Sequence, residues 1–248
     1  MADRFGARLR VVTYNIHKGI GGVDRRYRLE RIIAVLRHCE ADIAFLQEVD
    51  DGVPRSRRQC QVEALAAATG LVHFAFQRNV RLREGHYGNA ILSRFPLSDV
   101  THCELTIPLK KRRRALLCHA RAAIGGRHRR LLLVNTHLGL SGFERNAQLR
   151  KLLGSGVIQR THRTTPIVLG GDFNDVWATL GRRFLEPAGF RPAGRQVRTF
   201  PAFYPMRPLD RLFFRGDLEL HHAFASRTRV AREASDHLPL IAVFRLHR

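Results

Sequence analysis

The sequence predicts one α/β domain. Apolar runs of strand length, rich in β-branched residues, alternate with segments spaced for helices along the whole chain. The 248 residues are 44% hydrophobic, enough for a large buried core, which excludes disorder as the main state. No internal repeat, low-complexity tract or Pro/Ser linker divides them, so residues 1–248 are taken as a single domain.

The opening is β-α-β-α-β. Leu9 to Asn15 is β-branched and aromatic, hence a strand, and Leu29 to Cys39 then spaces Leu29, Ile32, Ile33 and Leu36 at helical intervals. Ile43 to Leu46 is the second strand. Gln59 to Thr69 puts Val62, Leu65, Ala66 and Thr69 on one helical face and stops at Gly70, ahead of the strand-like Val72 to Phe76. From Asn89 the texture becomes short strands and turns: Ala90 to Ser93, Val100 to Ile107, Ala115 to Ile124 and Leu131 to Thr136, with Gly125-Gly126 as a hairpin turn. Phe143 to Ile158 returns to helical spacing and Pro166 to Leu169 is a short buried strand. Leu209 to Phe214, Leu218 to Phe224 and Pro239 to Phe244 close the sheet structure.

The charge is lopsided, with 43 Lys+Arg against 21 Asp+Glu and a formal net charge of +22. Such a surface attracts polyanions, either nucleic acid or anionic lipid head groups, and does so less as salt rises. Basic clusters fall in predicted connections: Arg55, Arg57 and Arg58; Arg81 and Arg83; Lys110 to Arg114; Arg127, Arg129 and Arg130. Each alone is an ordinary solvated loop, whereas several together suggest a charged face. The cysteines, Cys39, Cys60, Cys103 and Cys118, have neither C-x-x-C nor zinc-finger spacing and are expected to be free, mostly buried thiols. No run approaches the roughly 18 apolar residues of a membrane span, and Met1 to Arg10 lacks the apolar stretch of a secretory signal. The expectation is a cytoplasmic protein without a transmembrane segment; oligomeric state is not legible.

Hard-ligand residues recur at the ends of strand-like runs. Asn15 ends VVTYN, Glu48 follows IAFLQ, His137 follows LLLVNT, Asp172 and Asn174 follow IVLGG, and Asp236-His237 precedes the last strand. Strand ends of an α/β sheet define a rim on which distant residues converge. Carboxylates, a carboxamide and imidazoles suit metal-assisted phosphoryl transfer, since carboxylates bind a hard cation and His or Asp handles protons. Each residue also has a structural explanation: Asn15 as a turn residue, Glu48 as a surface charge, Asp172 as a helix N-cap, Asp236 as a turn former before Pro239. Gly170-Gly171-Asp172-Phe173-Asn174-Asp175 is the most specific element, with glycines that admit a close ligand and two polar side chains two residues apart. No Walker-type or dinucleotide glycine pattern is present, so the expected cofactor is a metal alone.

YNIHKG, FLQEVD, YGNAILSR, NTHL, GGDFND, LDRLF and SDH, in this order between Val11 and Phe244, resemble the endonuclease/exonuclease/phosphatase superfamily with its deoxyribonuclease-I-like fold. The resemblance implies a four-layer α/β sandwich, two mixed, mostly antiparallel β-sheets face to face with helices on both outer faces. It also implies hydrolysis of a phosphoester with a divalent cation, usually Mg²⁺, with Mn²⁺ as the alternative. On the matching positions, Glu48 binds the metal, Asn15 helps position phosphate and metal, and Asp236 sits near the metal. Asp172 orients or deprotonates the attacking water and Asn174 stabilises charge on the phosphoryl group. His237, oriented by Asp210, contacts the phosphate or shares the proton work, and His137 protonates the leaving group or binds phosphate. Asn89 and Arg145 match positions that face substrate. His17 stands where some members carry an acidic residue.

The superfamily's substrates include DNA, RNA, sphingomyelin and inositol phosphates. The basic loops favour a nuclease, because each could follow a phosphate backbone without reading sequence. The rival is a phospholipid or sphingomyelin-type phosphodiesterase at an anionic membrane surface, which the same charge would serve. A non-catalytic nucleic-acid-binding protein comes third, since it predicts gaps among metal and water-activating positions that are all filled here.

Overall fold

The computed structural model describes residues 8–124 and 127–246, so the Gly125-Gly126 turn lies outside the described residues. The β-branched runs form strands β1 (Arg8–Asn15), β2 (Ile43–Asp51), β3 (His73–Arg81), β4 (His86–Ser93), β5 (Leu97–Glu104) and β6 (Arg114–Ile124). They continue as β7 (Arg127–His137), β8 (Ile167–Asp172), β9 (Arg191–Pro192), β10 (Asp210–Arg215), β11 (Leu218–Ala225) and β12 (Leu240–Leu246). Two six-stranded sheets result, ordered β11-β12-β1-β2-β4-β3 and β5-β6-β7-β8-β10-β9. Within each, one pair is parallel (β1 with β2, β7 with β8) and the rest are antiparallel.

The period of two along each strand builds the layers. Leu9 and Val11 of β1 point inward with Phe45, Leu116, Leu133, Val168 and Phe244, forming a core between the sheets. Val12 and Tyr14 point outward, onto α1 (Leu29–Cys39), α2 (Gln61–Thr69) and α5 (Arg229–Ala234). Against the outer face of the second sheet, α3 (Gly142–Leu153) and α4 (Gly156–Arg160) contribute Leu149, Leu152 and Ile158 to a third core with Leu132, Val134 and Leu169. Two sheets face to face with helices outside both are the four-layer sandwich expected. Cys39 and Cys118 are buried, Cys60 and Cys103 half-buried, and all four are free. Among the described residues no helix is long and apolar enough to cross a membrane.

The differences from the sequence reading are local. The expected helix Phe143 to Ile158 breaks at Gly154-Ser155 into α3 and α4, and α3 begins with a capping box in which Ser141 and Glu144 satisfy each other's backbone N–H. Helix α2 starts at Gln61, not Gln59, because Arg57 and Arg58 adopt left-handed conformations and Cys60 bridges to Asp51. The short β9 and α5 carry too few periodic residues to be found.

Chain direction puts one set of strand ends on a common rim. Parallel β1 and β2 finish at Asn15 and Asp51, and parallel β7 and β8 finish with His137 opposite Asp172. Antiparallel β10 starts there with Asp210 opposite Asp172, and β12 enters just after His237. The connections bearing Arg55 to Arg58, Arg81 to Arg83 and Lys110 to Arg113 lie at the same end, since β4 starts opposite Asp51 and Leu116 of β6 pairs with Asn135. Arg129 and Arg130 do not belong to this face: they lie within β7 rather than in a connection, at its opposite end, where Arg130 pairs with Asp99 at 2.8 Å.

Gly171 is a tight point of this rim. Its φ is +141° and a Cβ would fall 1.8 Å from the Thr136 carbonyl oxygen, so a side chain would pry β7 from β8. Gly171→Ala is expected to cost at least about 2 kcal/mol, through strain and steric overlap. Thermal unfolding tests this, and an unchanged midpoint would contradict it.

Candidate active site

Asp172 ends β8 almost fully buried, at 1% exposure, and its two oxygens are divided between neighbours. Oδ1 accepts the backbone N–H of Asn174 at 2.9 Å, closing an Asx turn rather than capping a helix. Oδ2 accepts the Asn15 side-chain amide at 3.1 Å from the other sheet, and lies 3.5 Å from His137 Nε2 and 3.8 Å from His237 Nε2. Asn15 is itself oriented, its Oδ1 accepting the His17 backbone N–H at 3.0 Å. Asn174, in the left-handed region with φ 49°, donates its amide to the Leu138 carbonyl at 2.9 Å. The sequence-predicted Asn15, His137, Asp172, Asn174, Asp210 and His237 are thus brought together.

The two histidines carry opposite protonation. His237 Nδ1 is 2.8 Å from Asp210 Oδ2, and the Phe200 ring covers the imidazole at 4.8 Å between centroids. Burial alone would favour neutral His237, but Asp210, Asp172 and Asp236 outweigh it and raise its pKa to about 10. His137 is equally enclosed; burial and the nearby Arg113 guanidinium lower its pKa to about 4 despite Asp172 and Glu48. At neutral pH the site therefore holds a charged His237 and a neutral His137 on one carboxylate oxygen.

Glu48 reaches the rim through a β-bulge. Leu46 pairs with Ala90 and Val49 with Gly88, so Gln47 and Glu48 together oppose Asn89. Without the extra residue Glu48 would point into the helix-facing core, the place Val49 takes. Instead Glu48 adopts φ 59° and meets the Lys18 ammonium, whose own φ is 63°, and the Tyr87 hydroxyl. Burial would raise its pKa, but His137, Lys18 and the Lys18 and Tyr87 hydrogen bonds hold it below the usual carboxylate range. Glu48 is thus a half-buried anion satisfied by a cation. Among the described residues no group of three or more His, Cys, Asp or Glu is arranged to hold a metal. Of the residues expected to hold a cation, the Glu48 carboxylate meets Lys18 and the Asn15 amide oxygen meets the His17 N–H.

The remaining expected residues have partners of their own. Asp236 lies 3.9 Å from His17 and accepts from Ser235 at 3.3 Å, and its field acts on His237. Asn89 is buried between the sheets and donates to the Arg114 carbonyl at 3.2 Å, a bridging position. Arg145 folds back onto the Leu140 carbonyl and so braces the loop that follows His137. Three features escaped the sequence reading: Lys18 on Glu48, Arg113 near His137, and a set of exposed apolar side chains at the rim. The last comprises Leu140, Phe143, Trp177, Phe203, Tyr204 and Met206, with Arg207 packed 5.2 Å from the Trp177 ring.

A two-sheet sandwich that gathers these groups at one rim is the architecture of a phosphoric ester hydrolase. The sequence pattern of the Endonuclease/Exonuclease/phosphatase family matches residues 12–237, and the chain belongs to that family. It is 32% identical over 249 residues to the uncharacterised protein YbhP of Escherichia coli K12, covering 96% of each chain. A structure of an endonuclease/exonuclease/phosphatase from Beutenbergia cavernae DSM 12333 superposes with a TM-score of 0.79 at 25% identity, over 97% of this chain and 72% of that one. Truncated TDP2 of Caenorhabditis elegans shares the fold with a TM-score of 0.70 at 22% identity, over 96% of this chain and 97% of its own.

The His237–Asp210 pair sets a pH signature. Because the folded pKa is raised, the stability it contributes is complete below the unfolded histidine value of about 6.5. That contribution is lost as pH climbs through about 10. Asp210→Asn removes the main counter-charge, and the His237 titration should fall by about 1–3 pH units. Imidazole ¹⁵N shifts measure this; a His237 titration unmoved by the substitution would contradict the charge assignment.

Proposed function

We propose that the protein is a divalent-metal-dependent phosphodiesterase that hydrolyses nucleic acid, DNA or RNA, with Mg²⁺ as the cofactor and Mn²⁺ as the alternative. The observation that carries the reading is the Asp172 carboxylate, buried yet shared by Asn15, His137 and His237 at one rim. Glu48 with Asn15 would hold the cation, since Glu48 is ionised, and the Lys18 ammonium now on its Oε2 would give way to it. When bound, the cation neutralises phosphate charge and makes the attacking water more acidic.

The chain's own groups supply the rest. Asp172 orients a water and accepts its proton as the water oxygen bonds to phosphorus, while the bond to the leaving oxygen breaks. His237, protonated at neutral pH, offsets the charge gained by the phosphoryl oxygens and holds the proton that the leaving alkoxide takes. Neutral His137 hydrogen-bonds phosphate without adding charge, a binding role in preference to leaving-group protonation. Asn174 sits two residues from Asp172 and contributes an uncharged amide to the same phosphoryl group. No covalent enzyme intermediate is needed.

Substrate choice rests on charge. The rim connections carry Arg55 to Arg58, Arg81, Arg83 and Lys110 to Arg113, which can follow a phosphate backbone, and the exposed aromatics offer stacking surfaces for unpaired bases. The second reading is a phosphodiesterase acting on anionic phospholipid. It is favoured by those same exposed side chains, Trp177, Phe203 and Leu140 among them, which could enter a lipid interface.

Labelled single- and double-stranded DNA and RNA should be cut in Mg²⁺ and spared in EDTA, more weakly as salt rises. Cleavage confined to anionic phospholipid vesicles would put the second reading first. Glu48→Gln should weaken Mg²⁺ binding at least tenfold by calorimetry, equivalent to about 1.4 kcal/mol. Undiminished binding would remove Glu48 from the metal site.

A further inference from the structure

Beside the Asp172 centre the structure gathers more positive charge than it neutralises. Around the Tyr87 ring stand the Lys111 ammonium at 4.7 Å, the Arg55 guanidinium at 5.7 Å and the Lys18 ammonium at 5.9 Å from the centroid. An aromatic face accommodates one cation readily, but three around one ring repel each other. Arg55 is neutralised by a bidentate bond to buried Asp50 at 2.7 and 2.8 Å, and Lys18 by Glu48.

Lys111 and Arg113 have no such partner: among the described residues no carboxylate forms an ion pair with either. Arg113 is the sharper case. It is only 6% exposed, its Nε is buried without a hydrogen-bond acceptor, and its charge acts on Tyr87, His137, Lys111 and, without an ion pair, the Glu144 carboxylate. Burying an unpaired guanidinium is costly unless an anion arrives to share it. The backbone on which it sits is pinned, Arg113 N–H donating to Thr106 Oγ1 at 3.0 Å and the Arg113 carbonyl accepting from Leu105 at 2.9 Å. Burial and the charges of Arg113, Lys18 and Arg55 depress the Lys111 pKa in spite of Glu48, so a bound anion would relieve this ammonium as well.

We propose that Lys111 and Arg113, beside the Tyr87 ring, form a second phosphate subsite that binds a phosphoryl group neighbouring the scissile phosphodiester. The inference rests on the phosphodiesterase reading and narrows its substrate to one carrying at least two phosphates close together, such as successive phosphates of a nucleic-acid strand. A zwitterionic phosphocholine ester suits the subsite poorly, since its quaternary ammonium would meet uncompensated cations. Within the basic run the residues differ: Arg112 turns toward Glu104 at 3.8 Å and lies outside the subsite.

The test compares a dinucleoside monophosphate with the same dinucleotide bearing a 5′- or 3′-terminal phosphate. The wild-type protein should show kcat/KM at least tenfold higher for one of the phosphorylated forms, the range expected of a charge-assisted pair. Lys111→Gln, on an exposed loop residue, and Arg113→Gln, checked for folding by circular dichroism, should bring that ratio toward one. Arg112→Gln should leave it unchanged. No preference in the wild type, or equal losses on both substrates in the variants, would overturn the subsite. If neither dinucleotide is cleaved the nucleic-acid reading fails separately, and calorimetric titration with inorganic pyrophosphate without metal decides the subsite. Binding weakened at least tenfold by Lys111→Gln sustains it; no binding, or binding indifferent to that substitution, overturns it.

Discussion

Everything at the rim depends on one buried carboxylate that both sheets hold. Asp172 belongs to the second sheet, yet its Oδ2 accepts the amide of Asn15 from the first, and the histidines beside it come from the end of β7 and the entry to β12. An isolated ionised carboxylate in such a place would cost several kcal/mol. Two N–H donors and the imidazolium of His237 offset that cost, and Asp210 in turn keeps His237 charged. Inter-sheet packing and the proposed chemistry are consequently one problem: if the sheets shifted against each other, the carboxylate would lose the Asn15 donor and the His237 imidazolium.

Backbone strain marks the same rim. His17, Lys18, Glu48 and Asn174, none of them glycine, all have positive φ. Such conformations cost of order 1–3 kcal/mol each and persist only where the surroundings enforce them. Here the surroundings are the β-bulge that turns Glu48 away from the helix-facing core, the Gln61 amide that donates to the Lys18 carbonyl at 2.7 Å, and the Asx turn that holds Asn174 on Asp172. The same fold that gives up stability at these residues gains a fixed geometry for the groups at the rim.

Much of this was legible in the chain. Strand-length β-branched runs carry period-two patterning strong enough to place most of β1, β2, β7 and β8, and the motifs at their ends mark Asn15, Glu48, His137 and Asp172. What escaped has physical reasons. The bulge at Gln47-Glu48 depends on which residues of β4 lie opposite, and pairing register is not written in either strand alone. Arg113 looks identical to its neighbours in KKRRR, and only the closing of the β5–β6 connection on Thr106 buries it while Arg112 turns outward. The opposite protonation of His137 and His237 follows from which charges the fold sets beside each. Arg129 and Arg130 count by charge with the other basic clusters toward one charged face, although the direction of β7 carries them to its far end.

The charge pattern then acquires a direction: cations gather where the strand ends meet, next to the Glu48 carboxylate and the His237 imidazolium. The central claim is that Asp172 works as a proton acceptor rather than as a structural anchor, and Asp172→Asn separates the two because it keeps shape and an acceptor while removing charge. The measurement is kcat on the best-cleaved nucleic acid together with the unfolding midpoint of the same preparation. A loss of at least about 10²-fold in kcat, with a midpoint within a few degrees of wild type, is the result this account predicts. Activity within a few-fold of wild type would contradict it.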